Sequence, residues 1–316
     1  MLSRTAENLY WAARYMERAD AAARLLEMGY RMQLMPTTSG THANEWQPIL
    51  AAAGTNALFA ERYGDAVDHN VISFIVFDTA NPSSIKSCLS AARHNARAVR
   101  TAITTEVWEV LNRAYLEFQD FERMARSDLS LPAICDWTKR QASLLRGTFV
   151  NTQLKNEGFR FFNLGYALER ADNTARLLDV KYYVLLPTID MVGGGVDNYQ
   201  WTTLLRAMSA HRSYYWTYGA DYRPKSIAHF LILNRSCPRS LVHCISDAEE
   251  ELTELSRAYG TRSEANSVAA EILGTLAEAD IADIIDGGLH EFLTGFVAQS
   301  SGLSAEIARS YLFGKV

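Results

Sequence analysis

This sequence is short of several things that would have narrowed its function at once. It has four cysteines in 316 residues, at Cys88, Cys135, Cys237 and Cys244. No two of them form a CxxC pair, so neither a zinc knuckle nor a disulfide framework is indicated, and buried free thiols are the expectation. No window of about 18 residues is both apolar and free of charge, which argues against a membrane span. The opening MLSRTAENLYW lacks the apolar run of a secretory leader. There is no excess of positive charge either. The net charge of -5 and pI near 5.8 speak against non-specific nucleic-acid binding, which needs a basic face. Alternating strand patterns are also missing. With no leader and no paired cysteines, a cytoplasmic protein is expected.

What the sequence does contain is a repetition. Residues 9–26 read LYWAARYMERADAAARLL and residues 161–178 read FFNLGYALERADNTARLL. The copies share ERAD, AR and LL at a single offset, which sets Glu17 on Glu169, Arg18 on Arg170, Asp20 on Asp172 and Arg24 on Arg176. Further along, EWQPILAAAG at 45–54 parallels QWTTLLRAMSA at 200–210. VISFIVFDTANPSSIKSCL at 71–89 parallels IAHFLILNRSCPRSLVHCI at 227–245. The expected fold is therefore all-α, a helical bundle built from two duplicated halves, 1–155 and 156–316, related by pseudo-twofold symmetry within one domain.

Each half opens on a long helix. In the first, Leu9, Ala12, Met16, Ala19, Ala23, Leu26 and Tyr30 step by three and four. Ser3 is read as its N-cap, with Glu7 near the positive end of the dipole. The helix is expected to stop before Pro36 and its counterpart near Pro187, followed by a loop with Gly193, Gly194 and Gly195. Further helices are expected over 83–124, 139–155, 201–217, 239–259, 263–285 and 289–312. VISFIVF has β-propensity, but its partner segment and flanks favour a buried helix or short turn.

ERAD inside such helices is the informative feature. On a wheel of about 100° per residue, Glu17, Asp20 and Arg24 form one stripe and Arg18 projects separately. Glu169, Asp172, Arg176 and Arg170 repeat the arrangement. Asp20 and Arg24 sit at i and i+4 with the acid first, the favourable order. Helices apolar almost all round are internal, and buried charge is costly unless paired. The simplest solution packs the two helices antiparallel, with the acids of one meeting the arginines of the other, as a register-fixing network without chemistry. The alternative is a polar pocket at the pseudo-twofold axis that binds an anionic or zwitterionic group. A di-iron site would want Glu-x-x-His, and Asp stands at that position in both copies. Magnesium would compete with adjacent arginines for the same oxygens. No metal and no cofactor is called for.

The segments LSRTAENLYWAARYMERADAAARLL, DTANPSSIKSCLSAARHNARAVRTAITTEVWEVLNRAY and LGYALERADNTARLLD resemble the alpha-E family, bacterial all-helical proteins named for their Glu-Arg motifs. The resemblance covers nearly the whole chain. It implies an α-helical domain encoded beside circularly permuted ATP-grasp ligases and transglutaminase-like cysteine peptidases, and hence a place in amide chemistry on peptides. It carries the motif positions onto Glu17, Arg18, Glu169 and Arg170. Asn95, Arg97, Trp108, Glu109 and Asn112 fit a second block, in which His94 stands where the family usually has an acidic residue.

Several other residues invite chemistry. Arg93 and Arg97 share a helix face, and are either a solvated basic surface or an anion-binding wall of the same pocket. The tyrosines and Trp216 of HRSYYWTYGADYRPK at 211–225 could stack a purine or peptide aromatic, though such clusters are commonly core. His243 adjoins Cys244, but neighbours in a helix do not face each other. Three functional expectations follow. The first is a non-catalytic binding or scaffold partner of an ATP-grasp amide-ligase system, holding a peptide or small amino-acid-like ligand. The second is an enzyme using an ERAD glutamate as general base. The third is a purely structural ERAD network.

Overall fold

The computed structural model describes residues 1–34, 46–125, 128–183 and 194–314. Among these every regular element is helical, and no helix is long and apolar enough to cross a membrane. Seven α-helices come first: α1 (Ser3–Gln33), α2 (Gln47–Ala52), α3 (Asn56–Tyr63), α4 (Asp68–Val76), α5 (Ile85–Ala98), α6 (Thr105–Arg123) and α7 (Leu131–Thr152). Eight follow: α8 (Glu157–Tyr183), α9 (Gly195–Ala207), α10 (His211–Tyr218), α11 (Pro224–Ile232), α12 (Leu241–Tyr259), α13 (Glu264–Glu278), α14 (Ile281–Asp286) and α15 (Leu289–Ser310).

The axis of the molecule is the pair α1 and α8, around which α5 and α7 pack on α1, and α12 and α15 pack on α8. α2 packs against α8, and α9 against α1. Small side chains make this possible. Residues Ala19–Leu26 of α1 are buried without interruption. Eight residues span more than two turns, so every face of α1 is covered there. VISFIVF lies largely in α4 and IAHFLIL in α11, each a helix with buried Phe74 or Phe230.

The two central helices run parallel, not antiparallel. Leu9 approaches Gly158, the Tyr10 carbonyl meets Gly165, and the Asn173 side chain donates to the Glu17 carbonyl at 3.5 Å. Contacts thus climb both helices in the same direction. A wheel shows which charges share a face but is silent on direction, and complementary charges can meet either way.

Other boundaries also differ from the sequence reading. α1 begins at Ser3 itself, after Leu2 in the cap position and with no side-chain cap. The expected helix over 83–124 is two helices parted by a 3-10 turn at Arg100–Ala102. That over 201–217 breaks at Ser209, which has a positive φ of 56°. That over 263–285 is divided into α13 and α14. α7 starts earlier than expected, at Leu131 behind an N-cap Ser130. Gly194 caps α9 and Gly195 is its first residue. The expected stops at Pro36 and Pro187, and Gly193, lie outside the described residues.

The close approach of α1 to α8 has a direct test. A Cβ at Gly165 would stand 2.3 Å from the Tyr10 carbonyl oxygen, whereas one at exposed Gly147 would meet nothing within 4 Å. Gly165→Ala is expected to destabilise by roughly 1–3 kcal/mol or more through overpacking. Gly147→Ala is expected to stabilise by up to about 1 kcal/mol from helix propensity. Urea unfolding of both variants decides it; a neutral Gly165→Ala would contradict the packing.

Candidate functional site

The ERAD residues come together at the centre of the bundle. Glu17 and Glu169 are both buried. Their charges are neutralised across the helix pair. Arg18 of α1 donates to Glu169 through Nε at 2.7 Å and Nη2 at 3.0 Å. Arg170 of α8 donates to Glu17 through Nε at 2.9 Å and Nη2 at 3.3 Å. Forked guanidinium–carboxylate pairing of this kind is the strong form of the interaction. Asp20 and Asp172 pair instead within their own helices, with Arg24 and Arg176, at 2.7 Å in each case.

Three arginines outside the ERAD motifs complete the network. Arg239, just before α12, donates to Glu17 at 3.2 Å and to Asp20 at 2.9 Å. Arg14 donates to Glu169 at 2.6 Å and also bonds the Tyr10 and Ser304 hydroxyls. The Arg146 guanidinium lies over the Tyr166 ring, 4.3 Å from its centroid, beside that of Arg170. The sequence offered a signal for Arg239, because the alignment of 71–89 with 227–245 sets it opposite Ser83. Arg14 stands opposite Tyr166 in the same way.

These contacts fix the protonation states. Burial alone would raise the Glu169 carboxyl, but Arg14 and Arg18 outweigh it and hold the group at about 2. Burial also acts upward on Asp20, and Arg24 and Arg239 bring it below the usual carboxylate range. A carboxylate near 2 is a poor base at neutral pH. The thiols are equally unreactive. Burial pushes Cys88 and Cys244 up to about 12, and all four cysteines are free and buried. Cys244 donates weakly to the Pro238 carbonyl at 3.8 Å, while His243 faces the Arg235 carbonyl and Asp247. Thiolate chemistry has no footing there.

Beside the network is a cavity of about 140 Å3. Its walls are Arg18, Glu169, Asp172, Asn173 and Arg176, with Ala53, Thr55, Asn81 and Ser83 across from them. At roughly 30 Å3 per water in the liquid, it has room for about five waters or one small polar group. The pairing of Arg176 shows how open this side is. Arg24 is 6% exposed and donates to the Ala207 carbonyl at 2.6 Å and the Ser209 hydroxyl at 2.9 Å. Arg176 is 32% exposed and, among the described residues, reaches only the Ala52 carbonyl, at 3.4 Å, beyond its bonds to Asp172. Where Ser209 stands near Arg24, Gly54 stands near Arg176: a Cβ there would lie 3.3 Å from Nη1, and its φ of 68° suits glycine.

The secondary candidates lie elsewhere. Arg93 donates to Asn112 at 2.8 Å and its guanidinium sits 4.6 Å from the Tyr115 ring centroid, on the α5–α6 side. Asn95 is partly buried, and Arg97 and Glu109 are exposed. None of the five lines the cavity; of the two readings of Arg93 and Arg97, the solvated basic surface fits this placement and the wall of the same pocket does not. The wheel placed them on one face of α5, but not which neighbour that face would meet. In the tyrosine-rich segment, buried Tyr214 stacks on Tyr218 and Tyr222, while Trp216 is exposed. Among the described residues no group of three or more histidine, cysteine or acidic side chains is arranged to hold a metal ion.

A model of the Alpha-E family, described as a predicted alpha-helical domain with a conserved ER motif, matches residues 1–312. The chain belongs to that family, and its Glu-Arg pairs at 17–18 and 169–170 are the residues that cross between α1 and α8. No curated protein matches the chain, and no solved structure does.

Glu169→Gln would leave the partly buried Arg14 and Arg18 beside a neutral amide, at an expected cost of about 2–4 kcal/mol at neutral pH. The pH dependence carries a sign. The folded-state value is depressed from 4.5 to about 2, so this stabilisation is complete above about 4.5 and is lost as pH falls from there toward 2. Melting temperature followed against pH should drop across that window in the wild type, with a shallower drop in the variant. Superimposable profiles would contradict the assignment.

Proposed function

We propose that this Alpha-E protein is a non-catalytic binding or scaffold partner in an ATP-grasp amide-ligase system. In this reading it holds a zwitterionic group of a peptide or amino-acid-like ligand in the cavity beside Asp172 and Arg176. The carrying observation is that cavity, which offers both signs of charge next to a buried, pre-organised ion network. Arg176 has hydrogen-bonding capacity that its counterpart Arg24 uses on Ser209, which suits an incoming carboxylate. Asp172 offers an acceptor for an incoming cation.

The same geometry weighs against the general-base alternative. Both glutamates accept forked arginine pairs, and Glu169 is held at about 2. The ligase and peptidase partners rest on the family resemblance alone. We further read residues 1–155 and 156–316 as copies of one unit, supported by the reciprocal Arg18–Glu169 and Arg170–Glu17 pairs and by the matched packing of α5 on α1 and α12 on α8. Free buried thiols suit a bacterial cytoplasm.

A purely structural role for ERAD is favoured by one observation, that every charge in both tetrapeptides has an intrachain partner. This is compatible with binding in the adjoining cavity. The test uses the full chain with ATP, an acceptor peptide and an amine, with and without the circularly permuted ATP-grasp ligase of the same genome. The protein alone should turn over nothing, and with the ligase it should form a complex detectable by sedimentation. Turnover by the protein alone that vanishes in Glu17→Gln or Glu169→Gln, at unchanged melting temperature, would overturn the proposal. The absence of any complex would leave the structural role.

A further inference from the structure

The cavity has a filled counterpart in the other half of the chain. Where residues 71–89 align with 227–245, Pro82 falls on Pro238, Ser84 on Ser240 and Cys88 on Cys244. The backbones there agree closely. Ser84 has φ -64° and ψ 152°, and Ser240 has φ -67° and ψ 153°. Their hydroxyls accept from the N–H of Ser87 at 3.1 Å and of His243 at 3.2 Å. The thiols of Cys88 and Cys244 each donate to the carbonyl of the aligned proline at 3.8 Å. Two segments with the same local geometry therefore differ at the residue before the cap, which is Arg239 in one and Ser83 in the other.

That difference is the one that places a guanidinium in one site and leaves the other open. The Arg239 guanidinium sits between Glu17 and Asp20, donating Nη1 to Glu17 Oε1 at 3.2 Å and Nη2 to Asp20 Oδ2 at 2.9 Å. Ser83 lines the cavity in front of Glu169 and Asp172. Among the described residues, Glu169 Oε1 accepts from Arg18 Nε and Asp172 Oδ2 from Arg176 Nε. Glu17 Oε1 accepts from Arg170 and from Arg239; Asp20 Oδ2 accepts from Arg24 and from Arg239. Glu169 Oε1 and Asp172 Oδ2, the oxygens matching those that Arg239 bridges, thus each accept one donor where their counterparts accept two, while Glu169 Oε2 accepts from Arg14 and Arg18 and Asp172 Oδ1 from Arg176. The arginines lining the cavity do not exclude a cation, because their equivalents Arg170 and Arg24 flank Arg239 with the same forked or i,i+4 pairing. Arg14 reaches Glu169 from outside the cavity, where Tyr10 and Ser304 hold it.

We propose that the cavity bounded by Ser83, Glu169, Asp172 and Arg176 binds the guanidinium group of an arginine-type ligand, seated between Glu169 and Asp172 as Arg239 is seated between Glu17 and Asp20. This rests on the reading of the cavity as a ligand site and names the cationic end of that ligand. Planar, forked donors match two carboxylates at this spacing better than a point-like ammonium does.

Isothermal titration of the full chain tests it with five probes. L-arginine, agmatine and N-acetyl-arginine amide carry the guanidinium as free amino acid, amine and peptide-like unit; L-citrulline replaces it with a neutral urea; glutarate is a dianion. The three guanidinium probes should bind at one site, with the strongest of them marking the source of the group. L-citrulline should bind roughly tenfold or more weakly, as expected for loss of a charged hydrogen bond. Asp172→Asn should weaken L-arginine by a similar factor. Ser83→Arg should abolish binding of all three and raise the melting temperature, because residues 83 and 239 precede caps, Ser84 and Ser240, of the same backbone conformation. L-citrulline binding as tightly as L-arginine, or glutarate binding that Ser83→Arg removes, would overturn the guanidinium and leave the cavity a ligand site. If no probe binds, the guanidinium is overturned; a ligase complex still broken by Ser83→Arg would then keep the cavity in play, and one left intact would end both readings.

Discussion

The structure depends on one exchange of charge. Glu17 and Glu169 lie in the centre of the bundle, and each is neutralised by an arginine from the opposite helix. An isolated carboxylate in that environment would cost many kcal/mol or take up a proton. Satisfied by forked arginines, it instead fixes how α1 and α8 lie against each other. A slide of one helical turn would separate both pairs at once and leave two buried carboxylates and two partly buried guanidinium groups unmatched. The relative height of the helices follows from that register, and the contact of Gly165 with the Tyr10 backbone adds their parallel direction. The outer helices have only to cover the remaining faces with Leu, Ile, Ala and Phe.

Around this exchange the two sides solve the same problem with different residues. Glu17 is completed by Arg239 from the turn before α12, and Arg146 from α7 lies over Tyr166. Glu169 is completed by Arg14 from its neighbouring helix, and Ser304 of α15 holds that arginine. Bringing the extra guanidinium from α1 rather than from the loop before α5 leaves Ser83 short and the space before Asp172 open. Gly54 in place of a hydroxyl-bearing residue opens it further. The candidate site is therefore a departure from the pattern that stabilises the rest.

Much of this was legible in the sequence, and the failures have physical reasons. The repeated ERAD tetrapeptide in two almost uniformly apolar helices pointed to central, mutually neutralised charges, and Arg18 and Arg170 projecting apart from their glutamates anticipated the crossing. Direction was not legible, because complementary charges on two helices can be satisfied parallel or antiparallel; the close contact at Gly165 settles it. The break after Val99 carries no glycine or proline, and Ser209 takes a positive φ that its residue type does not announce. Arg239 was missed because the aligned segments drew attention to what they share. The position that matters most is the one at which they differ. The second motif block left two readings open: Arg93 finds Asn112 and two aromatic rings on the α5–α6 side, a pairing between helices that spacing within one helix cannot reveal.

The crossing pairs are best examined by a double-mutant cycle on Glu17 and Arg170, using Glu17→Gln, Arg170→Met and the combined variant, with unfolding free energies from urea titration at neutral pH. If the exchange of charge holds α1 and α8 in register, the two substitutions are strongly non-additive, with a coupling energy of at least about 1.5 kcal/mol. Additivity to within about 0.5 kcal/mol would mean that the two side chains do not stabilise each other, and the account of the fold built on them would be wrong.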